Sequence, residues 1–214
     1  MPTLHREKIE TKRRNLTLSI AHGHLATGIR HCNHYIDVVS QKSNLTEARA
    51  VAQELCSGYR YHNTPIDTVV CLDGTEVIGV CIADELSKSD ISNINSQKSM
   101  NVVTPEIIQG AQLLFRDNLV PMIRDKNVLV TAVSVASGKT ARIAIEAINY
   151  YGGKVAGVAA IFSTTEECQG VAVNSVFNPN DLEGYGIYRA DECPMCKQGK
   201  KLDALINSHG YSKI

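Results

Sequence analysis

Hydrophobic and polar residues follow one another along the chain in segments that predict strands and helices in alternation. Apolar runs rich in β-branched residues predict three buried strands: 67–72, 128–132 and 155–162. Apolar residues at helical spacing predict three helices: 46–58, 77–86 and 140–151. A fourth helix is expected over 104–115, because Thr104 can cap it, Pro105 suits its first position and Glu106 its first turn.

The strand, helix and strand over 128–162 form one βαβ unit. A crossover of this length makes its two strands parallel and right-handed. The pattern therefore predicts an α/β fold in which a parallel twisted sheet carries helices on both faces, with ligands at the carboxyl ends of the strands. A length of 214 residues favours a single domain over 1–214.

Composition and charge exclude several classes of function. Lys plus Arg equals Asp plus Glu at 22 each, so no global field attracts nucleic acid or an anionic membrane. No apolar run reaches the length of a membrane span, and the N-terminal residues lack the apolar core of a secretory signal. Seven scattered cysteines do not form a disulfide framework. We therefore expect a cytoplasmic protein with reduced thiols.

The turn between the strand 128–132 and the helix 140–151 is the strongest candidate for chemistry. Its small residues let the backbone curl around a ligand, and the amides of the helix start attract an anion. The predicted phosphate-binding residues are Ala136, Ser137, Gly138, Lys139 and Thr140. An ATP-type P-loop does not fit, because Val133 stands where that motif needs its first glycine.

The segment from Val128 to Thr140, VLVTAVSVASGKT, resembles the signature of type I phosphoribosyltransferases. Two further segments are similar to the orotate phosphoribosyltransferase branch: His24 to Gly28 followed by Tyr35, Ile36 and Asp37, and the ending from Cys193 to Gly199, CPMCKQG. The resemblance spans nearly the whole chain. It implies a phosphoribosyltransferase-like fold with a small N-terminal hood at 1–45 and a flexible flap at 87–103.

The same resemblance implies a function, a glycosyltransferase reaction that moves a 5-phosphoribosyl group to a pyrimidine-like base. The loop of residues 136–140 would bind the 5′-phosphate of phosphoribosyl pyrophosphate or of a nucleoside monophosphate. The pyrophosphate loop would consist of Asp73, Gly74, Thr75 and Glu76, with Mg²⁺ as cofactor in the active enzyme. A homodimer is also implied.

Several residues depart from the family pattern. Ala132 and Val133 stand where the family has adjacent carboxylates that hold the ribose hydroxyls, so no catalytic residue is assigned there. Glu76 replaces a usual glycine, Ala26 replaces a basic residue, and the flap has only Lys88 and Lys98. These departures leave a second hypothesis open, a nucleotide-binding regulator or sensor on the same fold that does not catalyse transfer.

Histidines and cysteines near the two ends of the chain raise the question of a metal. The residues concerned are His22, His24, His31, His34 and Cys32, together with the Cys193 and Cys196 pair. A structural zinc site needs four ligands in two close pairs, and the sequence does not show whether the two regions meet. Packing is the commoner explanation, so no metal ligand is assigned.

Overall fold

The computed structural model of the chain describes residues 5–10, 16–28, 30–59, 64–88, 93–108 and 112–214. In chain order the strands are β1 (His5–Glu10), β2 (Thr17–Ala26), β3 (His31–Asp37), β4 (Thr68–Cys71), β5 (Asn101–Val103), β6 (Glu106–Ile107), β7 (Leu113–Leu114), β8 (Asn127–Val135), β9 (Lys154–Ser163), β10 (Glu167–Cys168), β11 (Val171–Phe177), β12 (Ile187–Tyr188), β13 (Ala204–Asn207) and β14 (Gly210–Lys213). The α-helices are α1 (Val39–Ser43), α2 (Leu45–Cys56), α3 (Glu76–Ser87), α4 (Lys139–Tyr150) and α5 (Pro194–Lys197). The chain divides into two compact units, here called the terminal unit (Met1–Ser40 with Pro179–Ile214) and the central unit (Gln41–Asn178).

The central unit contains the parallel sheet that the sequence predicts. Its strands lie in the order β10-β11-β9-β8-β4-β5. The five strands from β11 to β5 in that order run parallel to their neighbours, and β10 alone is antiparallel. The predicted βαβ unit is confirmed as β8, α4 and β9.

Helices cover both faces of this sheet, as predicted. Successive side chains of a strand point to opposite faces. On one face, Val70 and Val130 belong to a buried cluster with Ala144 and Ile145 of α4. On the other face α3 approaches so closely that a Cβ on its Gly79 would collide with the Cys71 sulfur. The absence of a side chain at Gly79 therefore permits the contact between α3 and β4.

The predicted helix over 104–115 is wrong. Around residues 109–111, which lie outside the described part, the chain forms two short antiparallel strands, β6 and β7. Arg116 joins Glu106 by an ion pair of 2.7 Å across this hairpin. The chain enters the segment extended, because β5 pairs with β4 immediately before Pro105. The fixed φ of a proline suits an extended chain as well as the start of a helix. The pairing of β5 with β4 therefore determines that the chain is extended at Pro105.

The terminal unit is built on a second sheet, in the order β12-β3-β2-β13-β14, with β1 also paired to β2. β2 and β3 form an antiparallel hairpin whose register shifts between His22 and Leu25, the mark of a β-bulge. β13 joins the other edge of β2 in parallel, so the C-terminal segment lies against the hairpin. Of the described helices, none is long and apolar enough to cross a bilayer.

Candidate functional site

The predicted phosphate loop lies between the end of β8 and the start of α4. β8 runs to Val135, three residues further than the sequence indicates, and α4 begins at Lys139. Gly138 turns the chain between them with φ at +71°, a left-handed conformation that favours glycine. Both Ser137 and Lys139 are exposed, so the loop faces solvent.

The backbone amides of this loop are available to a ligand. Lys139 donates its N–H to the hydroxyl oxygen of Ser137 over 3.4 Å, a long bond. In the described part of the chain, the amides of Ser137, Gly138 and Thr140 donate to no protein group. Since α4 starts here, these amides belong to the positive end of its dipole. The loop thus presents donors to an anion.

Neighbouring residues hold the loop carbonyls on the opposite side. Thr164 donates its hydroxyl to the Ala136 carbonyl at 2.8 Å and its amide to the Val135 carbonyl at 3.0 Å. The Cys168 thiol contacts the Gly138 carbonyl at 3.7 Å. In a trans peptide the N–H points away from the carbonyl, so the bond from Thr164 to the Ala136 carbonyl fixes the Ser137 N–H on the side away from Thr164. No local pattern identifies Thr164, which follows the end of a different strand, β9.

The second loop, predicted to bind pyrophosphate, follows β4. Asp73 and Gly74 both have positive φ, at 56° and 77°. Thr75 is buried, and its hydroxyl lies 2.7 Å from the Leu72 carbonyl, to which it donates, and 2.8 Å from the Thr131 hydroxyl. Thr75 therefore fixes the loop to β8, and its hydroxyl is already engaged within the protein.

A lysine that the sequence analysis missed lies beside this loop. Lys42 donates from Nζ to the Asp73 carbonyl at 3.0 Å. The same nitrogen lies 3.5 Å from the point where Gly74 would carry a Cβ. It places a positive charge at a loop whose own side chains include the acids Asp73 and Glu76. Lys42 is distant in sequence and belongs to no motif, so only the fold identifies it.

The two loops lie at the same edge of the sheet. β4 and β8 are parallel neighbours, with Cys71 opposite Thr131, and each loop follows the carboxyl end of its strand. Cys71 itself offers no nucleophile, because burial raises the pKa of its thiol to about 11. The edge therefore combines amide donors, the Lys42 ammonium and carboxylates.

The structure places the two positions of the missing acidic pair inside β8. Ala132 and Val133 are 2% and 6% exposed, and the strand continues past them to Val135. Ser134 is the exposed residue of this stretch. No carboxylate replaces the pair within β8, and a ribose bound here would meet apolar side chains.

The described part of the predicted flap belongs to the central unit, and its two lysines form ion pairs with other residues of that unit. Residues 89–92 lie outside the described residues. Lys98 binds Asp67 at 3.1 Å, and Asp67 precedes β4, at the sheet edge opposite the two loops. Lys88 pairs with Glu85 on α3. A flexible flap over 87–103 and a hood over 1–45 remain predictions.

The histidines and cysteines named above separate into two groups in the terminal unit. His24, His31, Cys193 and Cys196 come together, with one ligand atom from each within 4.8 Å of all the others. His22 instead bonds Glu7 at 3.2 Å, and His34 bonds Asn33 at 2.7 Å. Burial lowers the pKa of His34, and the neighbouring His22 lowers it further. The Cys32 thiol donates to the His34 carbonyl.

Comparison with known proteins identifies the fold. No protein-family model matches the chain. No curated protein matches it either. Solved structures do match, among them a phosphoribosyltransferase from Corynebacterium diphtheriae, at 14% identity and a TM-score of 0.52 over 76% of this chain and 90% of that one. The orotate phosphoribosyltransferase of Mycobacterium tuberculosis H37Rv, in complex with Fe(III) dicitrate, matches at 17% identity and a TM-score of 0.53. The match covers 78% of this chain and 93% of that one.

A third matching structure contains phosphorylated ligands. It is the adenine phosphoribosyl transferase of Trypanosoma brucei in complex with AMP, pyrophosphate and ribose-5-phosphate, at 14% identity and a TM-score of 0.50 over 76% of this chain and 74% of that one. At these identities the likeness is one of fold. The chain therefore has the phosphoribosyltransferase fold, which confirms the fold that the resemblance implies.

Proposed function

We propose that this protein binds a phosphoribosyl ligand, phosphoribosyl pyrophosphate or a nucleoside monophosphate, by its 5-phosphate at residues 136–140. The observation that carries the proposal is the row of unengaged amides at Ser137, Gly138 and Thr140. A phosphate monoester matches them because it offers several acceptor oxygens and two negative charges at a helix N-terminus. Lys139 and Thr140 add side-chain donors.

Transfer of the phosphoribosyl group to a pyrimidine-like base is the activity that we propose for this site. It requires pyrophosphate to bind at the second loop, where Lys42 and the amide of Gly74 offer donors. The carboxylates of Asp73 and Glu76 supply oxygen ligands of the kind that Mg²⁺ prefers, so the donor set fits a magnesium pyrophosphate. In the reaction the base nitrogen bonds to the ribose C1 and loses its proton to solvent, as the bond from C1 to the pyrophosphate oxygen breaks and pyrophosphate leaves.

Ala132 and Val133 favour a second candidate function, a regulator or sensor that binds the nucleotide without turning it over. Carboxylates near the ribose would stabilise the positive charge that develops on the sugar as pyrophosphate leaves. Burial of two apolar residues in their place removes that stabilisation and leaves the 5-phosphate contacts intact. The two candidates share the phosphate loop and differ only in catalysis.

Calorimetric titration tests the shared part. UMP and AMP are titrated into the wild-type protein and into Lys139→Glu, which places a carboxylate next to the amides. Lys154→Glu is the matched control, because Lys154 is also exposed but begins β9 at the opposite sheet edge. We expect binding to the wild type and to the control, and at least a tenfold loss in Lys139→Glu. Equal binding by all three proteins would refute phosphate binding at residues 136–140.

Product analysis separates the two candidates. The protein is incubated with Mg²⁺, phosphoribosyl pyrophosphate and a panel of pyrimidine and purine bases, and pyrophosphate and nucleotide are measured together. Formation of both supports transfer, and Lys42→Ala should then raise KM for phosphoribosyl pyrophosphate more than it lowers kcat. Nucleotide binding without any product supports the sensor.

We also propose the homodimer that the resemblance implies. Light scattering on the purified protein tests it directly. A mass of twice 23.3 kDa is expected, and a mass of one chain would contradict it.

A further inference from the structure

Four side chains in the terminal unit bring one nitrogen or sulfur atom each within 4.8 Å of the other three. His24 Nε2 lies 3.5 Å from Cys193 Sγ, 3.5 Å from Cys196 Sγ and 3.1 Å from His31 Nδ1. His31 Nδ1 lies 3.2 Å from Cys196 Sγ. Zinc bonds of about 2.3 Å to sulfur and about 2.0–2.1 Å to nitrogen imply tetrahedron edges of roughly 3.3–3.8 Å. The observed separations lie at or slightly below these edges, so small shifts would admit an ion.

The hydrogen bonds of His24 orient its ring for metal binding. Its Nδ1 lies 2.8 Å from the Lys200 carbonyl and 3.2 Å from the Lys201 carbonyl. Since a carbonyl only accepts, Nδ1 carries the proton and donates it, which leaves Nε2 with a free lone pair. Nε2 lies 3.5 Å from each of the two sulfurs. A ligating histidine whose second nitrogen donates to a carbonyl is the usual arrangement around zinc.

The local fold brings these residues together from three places. A β-bulge between His22 and Leu25 re-aims the residues of β2 between them, including His24. His31 starts β3, on the other arm of the same hairpin. The backbone of His24 bonds Asp203 in both directions, N–H to carboxylate at 2.7 Å and carbonyl to N–H at 2.8 Å. These bonds fix the C-terminal segment, which carries both cysteines, against the hairpin.

The donor set selects the metal. Thiolate and imidazole ligands in a tetrahedral arrangement suit Zn²⁺, whereas Mg²⁺ and Ca²⁺ require oxygen ligands, and the cluster contains none. Two thiolates with two neutral imidazoles balance the charge of one Zn²⁺. That neutrality allows Cys193, at 0% exposure, and His24, at 1%, to hold the ion inside the protein. Four protein ligands leave no open position, which is the mark of a structural site.

We propose that His24, His31, Cys193 and Cys196 bind one Zn²⁺ that joins the β2–β3 hairpin to the C-terminal segment. The site is independent of the phosphate loop, which lies in the other unit. Its role is to stabilise the terminal unit by linking segments that are far apart in the sequence, beside the buried cluster of Ala21, Leu25, Cys32, Tyr35 and Ala204. Metal binding of this kind contributes directly to the free energy of folding.

Metal analysis of the full-length protein is the first test. The protein is purified without chelators and its zinc content is measured by mass spectrometry, with the thiols counted before and after zinc release. We expect one Zn²⁺ per chain. The apoprotein, titrated with Co²⁺, should show the visible absorption of a tetrahedral site together with charge-transfer bands from two thiolates. Failure to take up either metal, or a Cys193–Cys196 disulfide in protein purified under reducing conditions, would overturn the proposal.

Matched variants identify the ligands. Cys196→Ser and His31→Gln change residues that are not fully buried, so they alter little packing. Cys168→Ser and His209→Gln are the controls, because they change the same residue types outside the cluster. We expect the zinc affinity to fall at least a hundredfold in the first pair and to stay unchanged in the controls. Co²⁺-loaded Cys196→Ser should also lose about half of the charge-transfer intensity. Equal zinc content in all four variants would refute the assignment.

Discussion

The loop of residues 136–140 and the cluster of His24, His31, Cys193 and Cys196 offer ligand groups of opposite kinds. The loop uses backbone amides of consecutive residues, exposed to solvent at the start of α4. The cluster uses side chains, and Cys196 Sγ and His24 Nε2 meet although 172 positions separate them in the sequence. An anion site of the first kind costs the fold little, because helix amides are unpaired in any case. A site of the second kind exists only once the terminal unit has folded.

The two regions therefore differ in what ligand removal does to the protein. Loss of a phosphate compound from an exposed loop leaves the central sheet and its buried cluster unchanged. Loss of a metal from the cluster leaves two thiols and two imidazoles facing one another, with His24 and Cys193 buried. We expect the first change to be mild and the second severe, and the following predictions test that contrast in order of expected size.

The largest effect is expected from chelation. Removing zinc should lower Tm by roughly 10 °C or more, because metal-binding free energy is folding free energy and about 1 kcal/mol shifts Tm by about 2–4 °C at this size. Calorimetry with and without chelator measures the shift. Hydrogen exchange should accelerate around residues 24–31 and 193–196, with little change over 139–150. An equal increase of hydrogen exchange in both units after zinc removal would contradict the expected difference between them.

A nucleoside monophosphate should raise Tm by a smaller amount. At about 100 times Kd the linkage is about 2.7 kcal/mol, equivalent to roughly 5–10 °C. A fluorescence melting curve in the presence of UMP or AMP measures it. The Lys139→Glu protein, which binds at least tenfold more weakly, should show at most about half of this shift while it retains its zinc. A shift of the wild-type size in this variant would show that the nucleotide binds elsewhere than at residues 136–140.

Gly157→Ala tests the packing of the central unit. A Cβ at this position would lie 2.7 Å from both Cε1 and Oη of Tyr59, whose hydroxyl is fixed by its bond to the Val158 carbonyl. Overpacking of this kind costs about 1–3 kcal/mol, which urea unfolding measures. Gly28→Ala is the control, since no residue of the described part lies within 4 Å of a Cβ there, and its stability should equal that of the wild type. Equal free energies of unfolding in the two variants would contradict the close packing of Tyr59 against Gly157.

Asp67 should contribute a small, pH-dependent stabilisation. Burial alone would raise the pKa of its carboxyl, but the N–H of Asn127 and the ammonium of Lys98 bind the carboxylate and lower the pKa below the ordinary value of 3.8. The folded state therefore gains stability above that value and loses it as the pH falls through the lowered pKa.

Unfolding in urea between about pH 5 and pH 2 measures this contribution. Asp67→Asn should be less stable than the wild type at the upper end of that range and should converge with it at the lower end. Asp117→Asn, a change at an exposed acid, should follow the wild-type curve. A constant difference between Asp67→Asn and the wild type across the range would argue against the pKa shift.

Much of the central unit was predictable from local patterns. The apolar runs that became β4, β8 and β9 are short and β-branched, and the apolar stripe of α4 lies at helical spacing. The loop of residues 136–140 lies between a strand and a helix, as predicted, because consecutive residues carry that signal; its binding of phosphate remains a prediction. The error at 104–115 arose where a local helix signal competed with strand pairing, which depends on partners far along the chain.

The sequence by itself determined the parallel α/β fold, the position of the small-residue loop between β8 and α4, and the absence of a carboxylate at Ala132 and Val133, because each depends on residues that are neighbours in the chain. Only the tertiary structure decided that Lys42 reaches the Asp73 loop, and that His24 and His31 rather than His22 and His34 meet Cys193 and Cys196. The sequence states which chemical groups the side chains carry. Convergence of side chains on one point is set by strand register, a bulge and the return of the C-terminal segment to β2.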